Sequence, residues 1–187
     1  MATTIHVLDR DWDHPDSIML RQAQRSELAV RYNTPDSEYG PKPSKEDITA
    51  FVVAYIGVKP VACGALRSLD KLAIYRNDDA DINQQTQIEA PQSQPFITAT
   101  PPLPAEGEVK RMFVLPELRG KKLGIASIIL EALHERGRNR GWRKLVCETG
   151  KLQPDAVRFY MREGYKPIEN YGHYVGSELS VCFEREI

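Results

Sequence analysis

The sequence predicts an α+β fold, and three observations carry that expectation. The apolar pattern changes period along the chain. Alternating runs rich in Val, Ile and aromatics give way to 3.6-residue stripes in the order strand, helix, three strands, helix, strand, helix, two strands. A strand-like run ending at Val114 meets a helical run starting at Ile125 across a basic, glycine-containing turn. At 187 residues, 41% of them hydrophobic, the chain fits one domain with a real core.

Ile5–Leu8 reads as the first strand. Asp13 is the predicted N-cap of a helix that has Pro15 and Asp16 in its first turn and ends before Asn33-Thr-Pro35. Its core candidates are Ile18, Met19, Ala23, Leu28, Ala29 and Tyr32. Asp36 to Lys45 is polar, with two prolines, and reads as a loop. Ala50–Ile56 and Val61–Leu69 read as a hairpin, with Gly64 marking a bulge or a close backbone approach. From about 70 to 106 the chain is proline- and Gln/Asn/Asp-rich with little periodicity, which is the composition of a flexible insertion. Glu108 to Val114 alternates, placing Val109, Arg111 and Phe113 on one face and Glu108, Lys110, Met112 and Val114 on the other. Ile125, Ile128, Ile129, Ala132 and Leu133 form a helical stripe that Gly137 or Gly141 should end. Lys144–Cys147 is a strand running into Glu148-Thr-Gly150, and Pro154 starts a helix that stops at Gly164. Tyr165–Ile168 and Leu179–Phe183 are the last strand pair.

The turn holds Pro116, Arg119, Gly120, Lys121, Lys122 and Gly124. A strand feeding such a turn into a helix suits phosphate. The first helical N–H groups lack internal partners, the helix dipole adds positive charge there, and glycine admits close approach of an anion. The turn lacks both the Lys-Ser/Thr ending of a Walker loop and the GxGxxG spacing.

Arg119-Gly-Lys-Lys-Leu-Gly124-Ile-Ala126 resembles the pyrophosphate loop of the GNAT acyltransferase superfamily, whose pattern is Arg/Gln-x-x-Gly-x-Gly/Ala. Arg119 and Gly124 match its ends, and Lys122 replaces the usual middle glycine. The resemblance extends from about residue 48 to 187. It includes Glu108-Val-Lys-Arg-Met-Phe-Val114 before the loop and Gln153-Pro-Asp-Ala-Val-Arg-Phe-Tyr160 after it. It implies a single domain over 1–187 in three layers, α/β/α. The central sheet would be mixed, mostly antiparallel, and splayed between the strand ending at Val114 and the one ending at Glu148.

The resemblance further implies acetyl transfer from acetyl-CoA, with no metal, to a primary amine. The backbone of Met112, Phe113 and Val114 would hold the pantetheine arm. Arg119, Gly120, Lys121, Lys122, Leu123, Gly124, Ile125 and Ala126 would form the pyrophosphate cradle, and Gln153 would stand at the Asn-type position after the splayed strand. Tyr160, seven residues on, would be the general acid that protonates the leaving sulfur. Glu108 and Glu148, at strand ends facing the splay, are the base candidates; each could equally sit in an ion pair. Arg67, Lys110 and Arg111 suit a carboxylate on the acceptor, which favours an amino acid or a similar small metabolite.

A net charge of −1 argues against a general nucleic-acid binder. No apolar run approaches the roughly 20 residues of a membrane span, and the N-terminus shows no secretory pattern. Cys63, Cys147 and Cys182 read as buried reduced thiols of a cytoplasmic protein, and the four histidines lie too far apart in sequence for a metal motif. A homodimer is compatible with such a fold. Three alternatives stay open on sequence: a peptide or protein amine as acceptor, a non-catalytic CoA-binding module, and an unrelated nucleotide-phosphate binder.

Overall fold

The structure, a computed structural model, describes residues 3–35, 41–69, 106–120 and 123–187. The proline-rich stretch 70–105, and Lys121 and Lys122 of the basic turn, lie outside the described residues. The chain forms β1 (Ile5–Asp9), α1 (Pro15–Tyr32), β2 (Ile48–Ile56), β3 (Lys59–Ser68), β4 (Glu106–Val114), α2 (Ile125–Arg138), β5 (Lys144–Gly150), α3 (Pro154–Arg162), β6 (Lys166–Ile168) and β7 (Ser180–Glu186). The order of elements is the one the periodicity predicts. The strands make one sheet in the order β1-β2-β3-β4-β5-β7-β6, antiparallel throughout except between β4 and β5.

Local chemistry sets the helix ends. Pro15 opens α1, but the cap is His14, not Asp13: His14 Nδ1 accepts the Asp16 N–H at 3.2 Å. Asp13 instead pairs with Lys45 at 2.8 Å. The inner face of α1 is set by Ser17 and Leu20, both fully buried, while Ile18 and Met19 are more than a third exposed. Residues three apart share a helix face, so the apolar pair at 18 and 19 straddles its edge. Gly137 does not end α2. It lies inside the helix, where a Cβ would fall 2.7 Å from Ile187 Cδ1; Asn139 caps the helix and Gly141 follows.

Each face of the sheet has its own core. On one, Val52, Ala54, Ala62, Leu66, Val109, Cys147 and Phe183 pack under Ile129, Leu130 and Leu133 of α2 and Tyr160 of α3. On the other, Phe51, Val53, Cys63, Ala65 and Phe113 pack under Leu20 of α1. Burying each large aliphatic side chain contributes about 1.5–3 kcal/mol.

Two departures from regular pairing shape the molecule. β3 and β4 pair Cys63 with Phe113 but Ala65 with Lys110, so β4 carries one extra residue, and Arg111 takes a left-handed φ of 57° there. The bulge switches the parity of the strand. Val109 therefore shares the α2 face with Met112 and Val114, and Phe113 turns under α1 beside Cys63. Simple alternation, which grouped Val109 with Arg111 and Phe113, fails here for that reason. Gly64 sits opposite the bulge; a Cβ on it would lie 2.8 Å from both Ile129 Cγ2 and Met112 Sδ, so Gly64 marks the bulge and the close approach together.

The second departure is a fork. β4 and β5 pair in parallel only from Glu106–Lys144 to Val109–Cys147. Beyond that, β4 stays with β3 as far as Val114, and β5 stays with β7 as far as Gly150. Among the described residues no helix is long and apolar enough to cross a membrane.

Candidate active site

The fork opens into a cavity of about 1190 Å³, bounded by α1, β4, the turn before α2, β5, α3 and the segment before β7. Gly124 is the N-cap of α2 with φ 64°, and no side chain caps the helix. The Ile128 N–H makes the bond back to the Gly124 carbonyl, so the N–H groups of Ile125, Ala126 and Ser127 stand ahead of the helical ladder, facing a space that these residues line. A Cβ on Gly124 would meet no atom within 4 Å. The left-handed backbone, not packing, requires glycine there, and no described residue fills the space beside it. Gly120 and Leu123 line the same cavity.

Arg119 does something the loop pattern does not reveal. Its guanidinium grips Glu27 of α1 through both terminal nitrogens, at 2.9 and 2.6 Å, while Nε donates to the Val114 carbonyl at 2.8 Å. The side chain thus ties the loop to α1 and β4, and it also lines the cavity. The Met112 carbonyl, two residues back along the same strand, accepts from Gln24 Nε2 at 2.9 Å. Met112, Phe113 and Val114 all line the cavity, with α1 stitched to their strand. Gln24, Glu27 and Arg31 were missed from the sequence. Their 3- and 4-residue spacing on one polar face of α1 was the available signal. Gln153 caps α3 and reaches Tyr32 on α1 at 3.3 Å.

Tyr160 and Glu148 approach the fork from opposite faces of the sheet. Tyr160 projects from α3, 5% exposed, among the rings of Phe159, Tyr165 and Phe183, in the same buried cluster as Cys147. Burial, reinforced by neighbouring anionic forms, holds the phenol well above its usual pKa, so it stays protonated at neutral pH. Glu148 follows Cys147 and so points to the other side of the sheet. Its Oε1 accepts from Ser180 Oγ at 2.8 Å. Both residues line the cavity.

Glu108 and Arg67 are set apart from the candidate residues that line the cavity. Both are buried, 0% and 1% exposed, and neither lines the cavity. They pair with each other at 2.5 Å. Glu108 Oε1 also accepts from Tyr171 at 2.9 Å and Tyr174 at 3.1 Å, and Lys110 Nζ lies 3.5 Å away. Burial by itself would raise the Glu108 pKa; the Lys110 and Arg67 charges and the hydrogen bonds outweigh it and hold the carboxyl below its ordinary range. The structure thus places Glu108 as a saturated, buried carboxylate with Arg67 as its counter-ion, both away from the cavity lining. Lys110 does reach the cavity, held by the Tyr174 hydroxyl at 2.5 Å, and Arg111 lines it beside the bulge. Arg67, Lys110 and Glu108 sum to one net positive charge on the α1 side of the fork.

Residues 47–167 match the family model described as an acetyltransferase (GNAT) domain. Over 81 residues the chain is 35% identical to the IAA acetyltransferase of Azospirillum brasilense, covering 43% of this chain and 52% of that protein. Over 60 residues it is 42% identical to the aminoalkylphosphonate N-acetyltransferase of Salmonella typhimurium, covering 32% and 38%. The chain thus spans about half or less of the length of these curated relatives. A GNAT family acetyltransferase from Elizabethkingia anophelis, solved with acetyl-CoA bound, superposes with a TM-score of 0.55 over 98% of each chain at 14% identity. The open cradle at the start of α2, the forked sheet and the family match over residues 47–167 agree, and the chain belongs to the GNAT acetyltransferase family.

Proposed function

We propose that the protein transfers an acetyl group from acetyl-CoA to the primary amine of a small metabolite that also carries an acid group. The observation that carries this reading is the fork. Parallel pairing stops after Val109 and Cys147, leaving Lys110 to Val114 beside the free N-terminus of α2, with one acid and one carboxylate converging from opposite faces. The cradle fits a pyrophosphate: its glycine is conformational, its foreground is open, and the helix start offers unpaired N–H groups. Ile125, Ala126 and Ser127 would hold the pyrophosphate, and the edge of β4 the pantetheine arm. Acetyl-CoA supplies the activated acyl group.

Glu148 takes a proton from the acceptor ammonium, which must be neutral to attack, and passes it to solvent. The attacking nitrogen forms its bond to the acyl carbon as the carbon–sulfur bond breaks, and Tyr160 gives its phenolic proton to the departing sulfur. The nitrogen then loses its second proton to become the neutral amide, Tyr160 regains a proton through solvent, and one proton is released overall. Lys110 and Arg111 supply the positive wall that favours an acid group on the acceptor, with Glu108 and Arg67 fixing Lys110 from behind. The name of the Salmonella relative describes an amine of that kind.

The test is thiol release from acetyl-CoA against amino acids, aminoalkylphosphonates, simple amines without an acid group, and peptides. An acid-bearing amine should exceed its acid-free counterpart in kcat/KM by roughly tenfold or more, the scale of one charge-assisted contact. Preference for peptides, or acetyl-CoA binding with no turnover on any amine, would reject the reading.

A further inference from the structure

The segment from Tyr171 to Ser180 carries polar groups that neither the family pattern nor the mechanism above uses. Ser180 Oγ donates to Glu148 Oε1 at 2.8 Å, and Ser177 Oγ donates to Ser180 Oγ at 3.0 Å. Both serines are buried, 7% and 6% exposed, and both line the cavity. The register that pairs Gly150 with Ser180 and Glu148 with Cys182 puts Ser180 on the same face as Glu148. The turn is itself held in place: Asn170 Nδ2 donates to the Ser177 carbonyl at 2.9 Å, and the Ser177 N–H donates to the Tyr174 carbonyl at 3.0 Å. Serine is neither a good strand residue nor a favourable one to bury, so two of them in a donor string that ends on one carboxylate serve that carboxylate. Successive hydroxyl dipoles strengthen each other in such a string.

We propose that Ser180, backed by Ser177, is a positioning residue that fixes the Glu148 carboxylate at the acceptor amine and keeps it ionised. This rests on the reading of Glu148 as the base. Titratable groups that feel its charge are Cys147 on β5, Cys182 on β7, Tyr160 on α3 and Tyr174 in the turn; Lys110 of β4 stands behind Tyr174, and His173 packs against the Tyr174 ring. Burial pushes both thiols and both phenols up, Cys182 to about 11, so none of them titrates between pH 5 and 8. Burial lowers His173, so its proton also comes off on the acidic side.

Removing a donor to the ionised form raises a carboxyl pKa, so the base form appears only at higher pH. Ser180→Ala should therefore move the acidic limb of kcat/KM upward, with roughly tenfold loss at pH 6 and little change in the KM for acetyl-CoA. Ser180→Thr, which keeps the hydroxyl, should restore the profile, and Ser177→Ala should give a smaller shift of the same sign. In a Glu148→Gln background Ser180→Ala should add nothing, and any remaining acidic limb belongs to His173. An independent readout is carbon-13 NMR titration of glutamate-labelled protein, with the Glu148 signal assigned by its loss in Glu148→Gln. Its midpoint should rise in Ser180→Ala. An unmoved midpoint, or an equal rate loss in both backgrounds, overturns the positioning role. Full turnover in Glu148→Gln overturns the base reading instead, and the NMR midpoint then shows separately whether Ser180 acts on the carboxylate.

Discussion

Replacing Arg67 with Met tests whether the buried cluster is structural or part of acceptor binding. Arg67 and Glu108 are 1% and 0% exposed and 2.5 Å apart, so solvent screens neither. Deleting one partner leaves the other charge buried. Here Lys110 Nζ at 3.5 Å and the Tyr171 and Tyr174 hydroxyls remain, but the closest cation is gone. Such truncations cost about 3–5 kcal/mol. That is a large share of the about 5–15 kcal/mol that keeps a domain folded. For a chain of this size each kcal/mol moves Tm by about 2–4 °C, so the loss should be on the order of 10 °C.

The pH dependence adds a second handle. A carboxyl held below its unfolded pKa contributes stability that is present above that pKa and lost as pH falls through the folded value. With Arg67 gone the depression shrinks, so the variant should start to acid-unfold at higher pH than the parent. Urea titration at pH 7 and thermal melts from pH 7 down to 4, followed by circular dichroism, measure both effects. Replacing both partners, Arg67→Met with Glu108→Leu, should recover much of the loss, because no buried charge is then stranded opposite a deleted one. A destabilisation below about 1 kcal/mol would refute the reasoning, since the pair would then behave like a surface contact. Where the single variant remains folded, its acceptor KM should change little, because Arg67 does not line the cavity; a large rise would return Arg67 to the acceptor site.

Gly124→Val should weaken acetyl-CoA binding sharply by calorimetry and lower Tm by several degrees: the added side chain meets no described atom, but a β-branched residue must adopt φ 64° in front of the helix, at about 1–3 kcal/mol. Unchanged affinity would remove the cradle assignment. Tyr160→Phe keeps the packed ring and removes the hydroxyl, so turnover should fall roughly 10²–10⁴-fold with acetyl-CoA binding intact; near-normal turnover on the true acceptor would leave Tyr160 a core aromatic. Cys63, Cys147 and Cys182 are buried, and burial pushes Cys63 up to about 12 and Cys182 to about 11, so a thiol reagent at pH 8 should label the native protein far more slowly than the urea-unfolded chain.

What the sequence made legible was whatever repeats at short range. The 3.6-residue stripe at Ile125, Ile129 and Leu133 and the Val/Ile-rich runs of β2 and β3 announced their elements, because period and burial face are local properties. The loop ending at Gly124 was legible because its chemistry is backbone chemistry, written in one glycine before a helix. Pairwise contacts were not legible. The Arg119–Glu27 pair spans 92 residues, so no local pattern announces it. The Arg67–Glu108 pair depends on the register between β3 and β4.

The bulge at Arg111 is a further feature set by contacts distant in sequence. A left-handed non-glycine residue costs on the order of 1–3 kcal/mol and persists only where its surroundings over-determine it. Gly64 opposite, Met112 Sδ against it and Phe113 under α1 are those surroundings. Without the extra residue, Met112 and Val114 would exchange faces with Phe113. The apolar side chains of β4 would then lose their helices. The two carbonyls that Gln24 and Arg119 hold would lie on the wrong edge. A trace of this was present in the sequence: Val109 and Met112 are three apart, whereas Met112 and Val114 are two apart, and strict alternation cannot bury all three together. The spacing of those apolar residues thus encodes the bulge. The bulge in turn decides which backbone groups border the fork, and so links the packing of β4 to the chemistry proposed beside it.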